Sequence, residues 1–282
     1  MSAFSGKNVT FIGGGMMGTA MIGGMLKNNL LRSEQITVSD PSAERGNHLT
    51  TTYSVTHTTD NAEAVKHADV VVLAVKPQFF DAVVADIGGR VSDAEVVVSI
   101  MAGVTIATMS EKLEFMHIVR SIPNTPASIG RGISAWLGTE SVSEDGLEMA
   151  RLLLESLGET IQVPEERYMD MATAVSGSGP GYVFLFMEAM MDAAVHMGFS
   201  RSDAEKLVMH TVSGAAAYAM DSGQHVAVLR NQVTSPGGTT AEGLYHMEKN
   251  GLRSAVARGI WGAFQRSVAL GGGEPRDPDT SV

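Results

Sequence analysis

The segment Gly13-Gly14-Gly15-Met16-Met17-Gly18 constrains the fold more than any other, because it follows the β-branched run Val9–Ile12 directly and opens a helical stretch. In that setting each spaced glycine has its own duty. Gly13 permits a tight turn, Gly15 lets a pyrophosphate approach the backbone, and Gly18 lets the helix pack closely on its strand. The helix N-terminus then offers amide donors and a positive dipole end to phosphate oxygens. A glycine-rich turn without a ligand is the competing interpretation, and the alternation of strands and helices around it weighs against that.

The alternation is long. Strands are expected at 9–12, 36–39, 55–57, 69–75, 95–99 and 117–121, separated by helices near 16–29, 42–50, 61–67, 78–87 and 105–113. A strand at 133–137 precedes a helix with Ser143 as N-cap, a body from Glu144 to Leu157 and Gly158 as stop. A strand at 160–163 closes the series. After Pro164 the β-runs vanish and helical periodicity dominates to residue 270. The expected architecture is an α/β Rossmann-like N-terminal domain with a mostly parallel, doubly wound sheet over residues 1–163. An all-α C-terminal domain for substrate binding and dimerisation follows over 164–282. Gly271–Val282, with three glycines and two prolines, reads as a frayed tail.

Composition narrows the function. Twenty Lys and Arg against 31 Asp and Glu give a net charge of −11, without the basic footprint that a phosphate backbone requires, so no nucleic-acid partner is expected. The absence of cysteine removes disulfides, thiolate metal sites and a cysteine nucleophile. Met1–Asn8 lacks an apolar signal core, and a run such as Val70–Val75 is far too short to span a bilayer. A cytoplasmic protein without membrane contact is expected.

Several residues stand where ligands bind in open α/β sheets, at the carboxyl ends of strands. Asp40 ends the second strand, where a carboxylate accepts from adenosine ribose hydroxyls and repels a 2′-phosphate. Ser39, Ser42 and Arg45 nearby are able to receive that phosphate if Asp40 swings outward, and Asp40 also fits a simple turn before Pro41. Ala74-Val75-Lys76-Pro77, Ser99-Ile100-Met101-Ala102-Gly103 and Pro123-Asn124-Thr125-Pro126 end later strands on the same rim. In the helical half, Ser176-Gly177-Ser178-Gly179-Pro180 and Val233 to Thr240 each lead into a helix, and Thr239 with Glu242 has capping-box spacing. Two hydroxyl-rich helix starts suggest a carboxylate pocket, although either alone reads more readily as a mere helix cap. Glu188, Asp192 and His196 recur every four residues on the 182–197 helix. A shared metal ion is conceivable, but a solvated stripe is the plainer account, and no metal is expected. That helix is apolar on most other sides, which calls for a dimer formed through this half.

Taken together, Phe11 to Gly18, Leu73 to Pro77, Ser99 to Thr105, Pro123 to Pro126, Ser176 to Pro180 and Val233 to Thr240 resemble pyrroline-5-carboxylate reductases over nearly the whole chain. The resemblance implies reduction of 1-pyrroline-5-carboxylate to L-proline with NADPH or NADH, in dimers that are often assembled into decamers. It implies an active site between the N-terminal domain and helices of a partner subunit. It further implies cofactor contacts at Gly13, Gly14, Gly15, Met16, Met17, Gly18, Asp40, Asn61, Ala74, Val75, Lys76, Pro77, Ile100, Met101 and Ala102. Substrate contacts would fall on Glu166, Gln232, Thr239 and Thr240. Asp40 stands where some members have Ser, and Gln232 where some have Asn.

The chemistry needs an imine nitrogen that is protonated when hydride arrives, because only then is its carbon a good acceptor. Thr240 is the candidate catalytic hydroxyl, bonding the ring nitrogen and relaying a proton from water. Thr239 with the Ser176, Gly177, Ser178 and Gly179 segment would hold the carboxylate. Two alternatives remain at this level: another two-domain dehydrogenase such as a β-hydroxyacid dehydrogenase, and a non-catalytic dinucleotide sensor.

Overall fold

The structure, a computed structural model, describes residues 3–274. Of the glycine-rich tail, residues 275–282 therefore lie outside the described residues. The described chain divides into two compact units, residues 3–178 with 263–274, and Gly179–Gly262.

The first unit begins β1 (Val9–Ile12), α1 (Met16–Lys27), β2 (Ile36–Ser39), α2 (Ala43–Tyr53), β3 (Thr56–Thr58), α3 (Asn61–Val65) and β4 (Val70–Leu73). It continues α4 (Phe80–Ile87), β5 (Val96–Ser99), α5 (Ile106–Leu113), β6 (Ile118–Ile122), β7 (Gly132–Gly138), α6 (Glu144–Glu155) and β8 (Gly158–Gln162). These strands form one sheet in the order β3-β2-β1-β4-β5-β6-β7-β8, parallel except where β7 runs antiparallel to β6. Strand alternation explains the double winding. Phe11, Val70, Val72, Val96 and Val98 pack with Met21 and Ile22 of α1, Leu49 of α2 and Leu153 of α6. The intervening Ile12, Val71, Leu73 and Val97 point the other way, onto Val65 of α3, Phe80 and Val83 of α4 and Met109 of α5.

Element ends shift from the sequence expectation by one to three residues, three at the end of α2, which runs to Tyr53. The fourth strand stops at Leu73; the Ala74 amide still donates to the Ile12 carbonyl of β1 at 2.9 Å, and the chain bends at Val75. Ser143 does cap α6, accepting from the Gly146 amide at 3.1 Å, but the helix ends at Glu155 and Gly158 opens β8 instead of stopping the helix. Gly158 has φ +133°, and a Cβ there would lie 2.2 Å from the Gly132 carbonyl oxygen, so close strand approach is what demands glycine.

After β8 come α7 (Arg167–Ala172) and a π-helical segment (Thr173–Gly177) that runs into α8 (Gly179–His196). Met169 of α7 packs against Ile122 and Ala135 of the sheet. The loop expected at Ser176–Ser178 is instead the end of this π-helical segment, while the helix does start at Gly179 with Pro180 in its first turn, as expected. Pro180 has no N–H to give, and in the first turn of α8 no bond within the helix is lost by that. The second unit holds α8, then α9 (Arg201–Ser222), α10 (Val226–Gln232), α11 (Thr239–Lys249) and the first part of α12 (Leu252–Leu270).

Candidate active site

The turn after β1 shows why its glycines are spaced as they are. Gly13 has φ +102°, and a Cβ on it would stand 2.7 Å from the Ala74 carbonyl oxygen. A Cβ on Gly18 would meet the Gly13 carbonyl oxygen at 2.5 Å, whereas Gly15 faces open space. Gly15 is the N-cap of α1 and no side chain caps that terminus, so the first-turn amides of Met16, Met17 and Gly18 await an acceptor from outside the helix.

Beside this turn lies a cleft of about 460 Å³, lined by Gly13, Gly15, Asp40, Asn61, Ala74, Val75 and Lys76 among others. Its floor is tightly bonded. Asp40 Oδ2 accepts from the Gly14 amide and Oδ1 from the Ser42 amide, both at 2.9 Å. Ser39 Oγ donates to Asn61 Oδ1 at 2.7 Å, and Asn61 Nδ2 donates to Asp86 Oδ2 at 2.9 Å. The cradle fits a dinucleotide on three counts: uncapped helix amides for phosphate, an open Gly15, and a carboxylate at the end of β2 for the ribose.

Phe79, Ala82, Val83 and Asp86 also line the cleft and were not expected from the sequence. Their spacing of three and four residues beyond Pro77 was the available signal, since it places them on one face of α4. Pro77 begins a 3-10 turn capped by Lys76. Ile100, Met101 and Ala102 follow β5, where the Met101 amide donates to Ser99 Oγ at 3.3 Å. These three do not line the cleft.

Among the substrate candidates, Glu166 is committed within the first unit. Its Oε1 accepts from Nη1 of the buried Arg120 at 2.5 Å and from the Ile106 amide at 2.7 Å. Arg120 had no sequence signal, for its partner lies 46 residues away. Ser176 and Ser178 do not form the anticipated amide cradle: Ser176 Oγ donates to the Ala172 carbonyl at 2.9 Å, and the Ser178 amide donates to the Thr173 carbonyl at 2.8 Å. Gly177 lies in the same π segment, and Gly179 opens α8.

Gln232, Thr239 and Thr240 belong to the helical unit. Gln232 ends α10 and donates to Gln224 Oε1 at 3.0 Å. Thr239 and Thr240 are the first two residues of α11, and Gly238 is its N-cap. The capping box expected of Thr239 and Glu242 is therefore not formed, because the box needs the hydroxyl residue one place earlier. Glu242 instead faces His246 at 3.2 Å. On α8, Glu188, Asp192 and His196 are exposed, and Asp192 pairs with Arg201 at 2.9 Å. Among the described residues no group of three or more metal-ligating side chains converges.

Two family models match the chain: pyrroline-5-carboxylate reductase dimerisation over residues 166–270, and NADP oxidoreductase, coenzyme F420-dependent, over residues 8–103. A curated pyrroline-5-carboxylate reductase of Synechocystis is 39% identical over 92% of this chain and 97% of its own length. One from Arabidopsis thaliana is 34% identical over 93% and 95%. Of solved structures, a pyrroline-5-carboxylate reductase from Coxiella burnetii superposes with a TM-score of 0.88 at 35% identity, covering 94% of this chain and 98% of that one. The Plasmodium falciparum pyrroline carboxylate reductase, solved with NADP bound, gives 0.84 at 32% identity with the same coverage.

Proposed function

The chain belongs to the pyrroline-5-carboxylate reductase family, and on that footing we propose where its reaction runs. It is an oxidoreductase that reduces the cyclic imine 1-pyrroline-5-carboxylate to L-proline with NADPH or NADH, in proline biosynthesis. The observation that carries the reading is the cleft beside the Gly13–Gly18 turn, whose uncapped amides and β2-end carboxylate suit a dinucleotide. The named relatives favour neither a β-hydroxyacid dehydrogenase nor a non-catalytic sensor.

When bound, the reduced nicotinamide supplies the hydride. Gly13 to Gly18, Asp40, Asn61 and Ala74 to Pro77 would hold the dinucleotide, with Ile100 to Ala102 bordering its nicotinamide end. Thr240 would bond the imine nitrogen and keep a proton there, which makes the adjacent carbon electrophilic. Thr239 and the first-turn amides of α11 would bind the substrate carboxylate. Gln232 and the hydroxyls of Ser176 and Ser178 would complete the pocket beside Gly177 and Gly179, and Glu166 would contribute through the carboxylate that Arg120 anchors. The match over residues 166–270 supports a helical substrate and dimerisation region after about residue 163, preceded by the dinucleotide-binding region. It supports a homodimer; further assembly into decamers and an active site shared by two subunits belong to the same proposal. No helix among the described residues is long and apolar enough to cross a membrane, in keeping with a cytoplasmic enzyme.

The test is direct. Purified chain mixed with reduced cofactor and the imine is expected to consume near-ultraviolet absorbance and release L-proline. No absorbance change with both compounds saturating would overturn the reading.

A further inference from the structure

We propose that Asp40 makes this chain select NADH over NADPH. The proposal rests on the dinucleotide reading of the cleft and adds to it a choice at one ribose hydroxyl. Asp40 lines the cleft at the carboxyl end of β2, and every polar group it owns is fixed. Its two carboxylate oxygens accept from the Gly14 and Ser42 amides at 2.9 Å each. Its own amide donates to the Thr58 carbonyl at 3.1 Å, and its carbonyl faces His57 Nε2 at 3.0 Å. An outward swing, which would clear room for a 2′-phosphate, breaks two bonds to backbone donors. One of those donors lies inside the phosphate-binding turn itself.

A carboxylate has about four acceptor positions, so two amides leave capacity for the vicinal hydroxyls of an unphosphorylated ribose. A 2′-phosphate removes one of those donors and brings a second anion against a fixed one. The neutral groups that would compensate are already engaged, and the cation Arg45 on the cleft lining is exposed. Ser39 Oγ donates its proton to Asn61, and Ser42 Oγ caps α2 by accepting from the Arg45 amide at 3.3 Å. Arg45 is exposed and turns Nη1 toward the Gly14 carbonyl at 3.4 Å. Asp86 places a second carboxylate on the same cleft wall.

The experiment is calorimetric titration of the purified full chain with NADH and, separately, NADPH, which reads binding and not turnover. NADH is expected to bind at least about tenfold tighter. Asp40→Asn keeps an oxygen for one amide and drops the charge, and Asp40→Ser replaces the carboxylate with one neutral, shorter hydroxyl. Each is expected to move the NADH to NADPH affinity ratio by about tenfold toward or past unity, with thermal melts confirming a folded chain. Arg45→Ala leaves Asp40 intact, is assayable even if the Asp40 variants do not fold, and is expected to shift the ratio less than about threefold. Equal or tighter NADPH binding by the unsubstituted chain overturns the proposal and leaves the dinucleotide reading standing. So does a ratio that collapses in Arg45→Ala. Failure of both nucleotides to bind overturns the reading of the cleft, and the proposal with it.

Discussion

Thr240 is the second residue of α11, in the turn where helix amides lack partners within the helix. A hydroxyl that holds a proton on the imine nitrogen acts on the chemical step and not on the dinucleotide. Thr240→Ala is expected to lower kcat about 100-fold while NADH affinity changes less than about twofold, and Thr240→Ser to restore most of the loss. Steady-state kinetics beside a binding titration separate the two effects, and unchanged turnover removes Thr240 from the mechanism. Gly13 offers a second test, on stability. An alanine there adopts φ +102° and drives its Cβ to 2.7 Å from the Ala74 carbonyl oxygen. Gly13→Ala is expected to cost about 2–3 kcal/mol in urea unfolding, whereas Gly15→Ala, facing open space, leaves stability within about 0.5 kcal/mol and weakens nucleotide binding.

At the scale of elements, ionic contacts tie strand and helix ends that lie far apart in sequence. Lys7 precedes β1 and reaches Asp69 before β4 and Glu95 before β5. The hydrogen bond to Glu95, aided by the charge of Asp69, raises the Lys7 amine above its ordinary 10.5. Because the folded amine is the more basic, its contribution is fully present below 10.5 and is lost as pH rises through the higher folded value. The unsubstituted chain should therefore lose more stability than Lys7→Met on going from neutral pH to above 10.5, by under about 1 kcal/mol for so exposed a group. The pair of Arg120 and Glu166 joins β6 to the start of α7, and Glu166 also binds the first amide of α5. Glu166→Gln leaves a buried guanidinium uncompensated and is expected to cost about 3 kcal/mol. The double change Arg120→Met with Glu166→Gln should cost less, and urea titration of the three variants checks this. The same elements mark what was legible beforehand. Strand and helix periodicity located the sheet to within a residue or two, since the runs of β1, β4, β5 and β6 are buried throughout, while the edge strands β3 and β8 have no buried residue. The helix start at Gly179–Pro180 was legible, but the π segment before it was hidden, because Gly and Ser beside a proline read as loop and a five-residue hydrogen-bond step such as Ser178 to Thr173 has no sequence pattern. The cap of α11 was misplaced by one residue because hydroxyl spacing cannot tell which residue adopts the extended cap conformation. Arg120 was silent because its partner is distant in sequence.

At the scale of the molecule, the helical unit is inverted relative to an ordinary globule. Between residues 179 and 262 the buried apolar side chains are Ala194, Ala204, Val208 and Leu229, while Phe184, Leu185, Met209, Tyr218, Met220 and Tyr245 are all more than half exposed. Helices α8 and α9 pack on each other and leave Phe184, Leu185, Met209, Tyr218 and Met220 outward, too much apolar surface for a helical pair to keep in water. The surrounding chain carries a net charge of −11, which opposes indiscriminate association, so a specific self-complementary contact is the economical way to cover the face. Light scattering after chromatography at micromolar concentration should return a dimer or a larger even-numbered assembly. Unfolding temperature should rise with protein concentration, as linkage requires when association and folding are coupled. Phe184→Glu with Met220→Glu places two charges on the face and should yield monomers with a concentration-independent melt and strongly reduced turnover. If the dinucleotide cleft is built within one chain, those monomers should still bind NADH within about threefold of the parent. Monomers in the unsubstituted protein, or full turnover in the charged variant, would detach this face from assembly and catalysis alike.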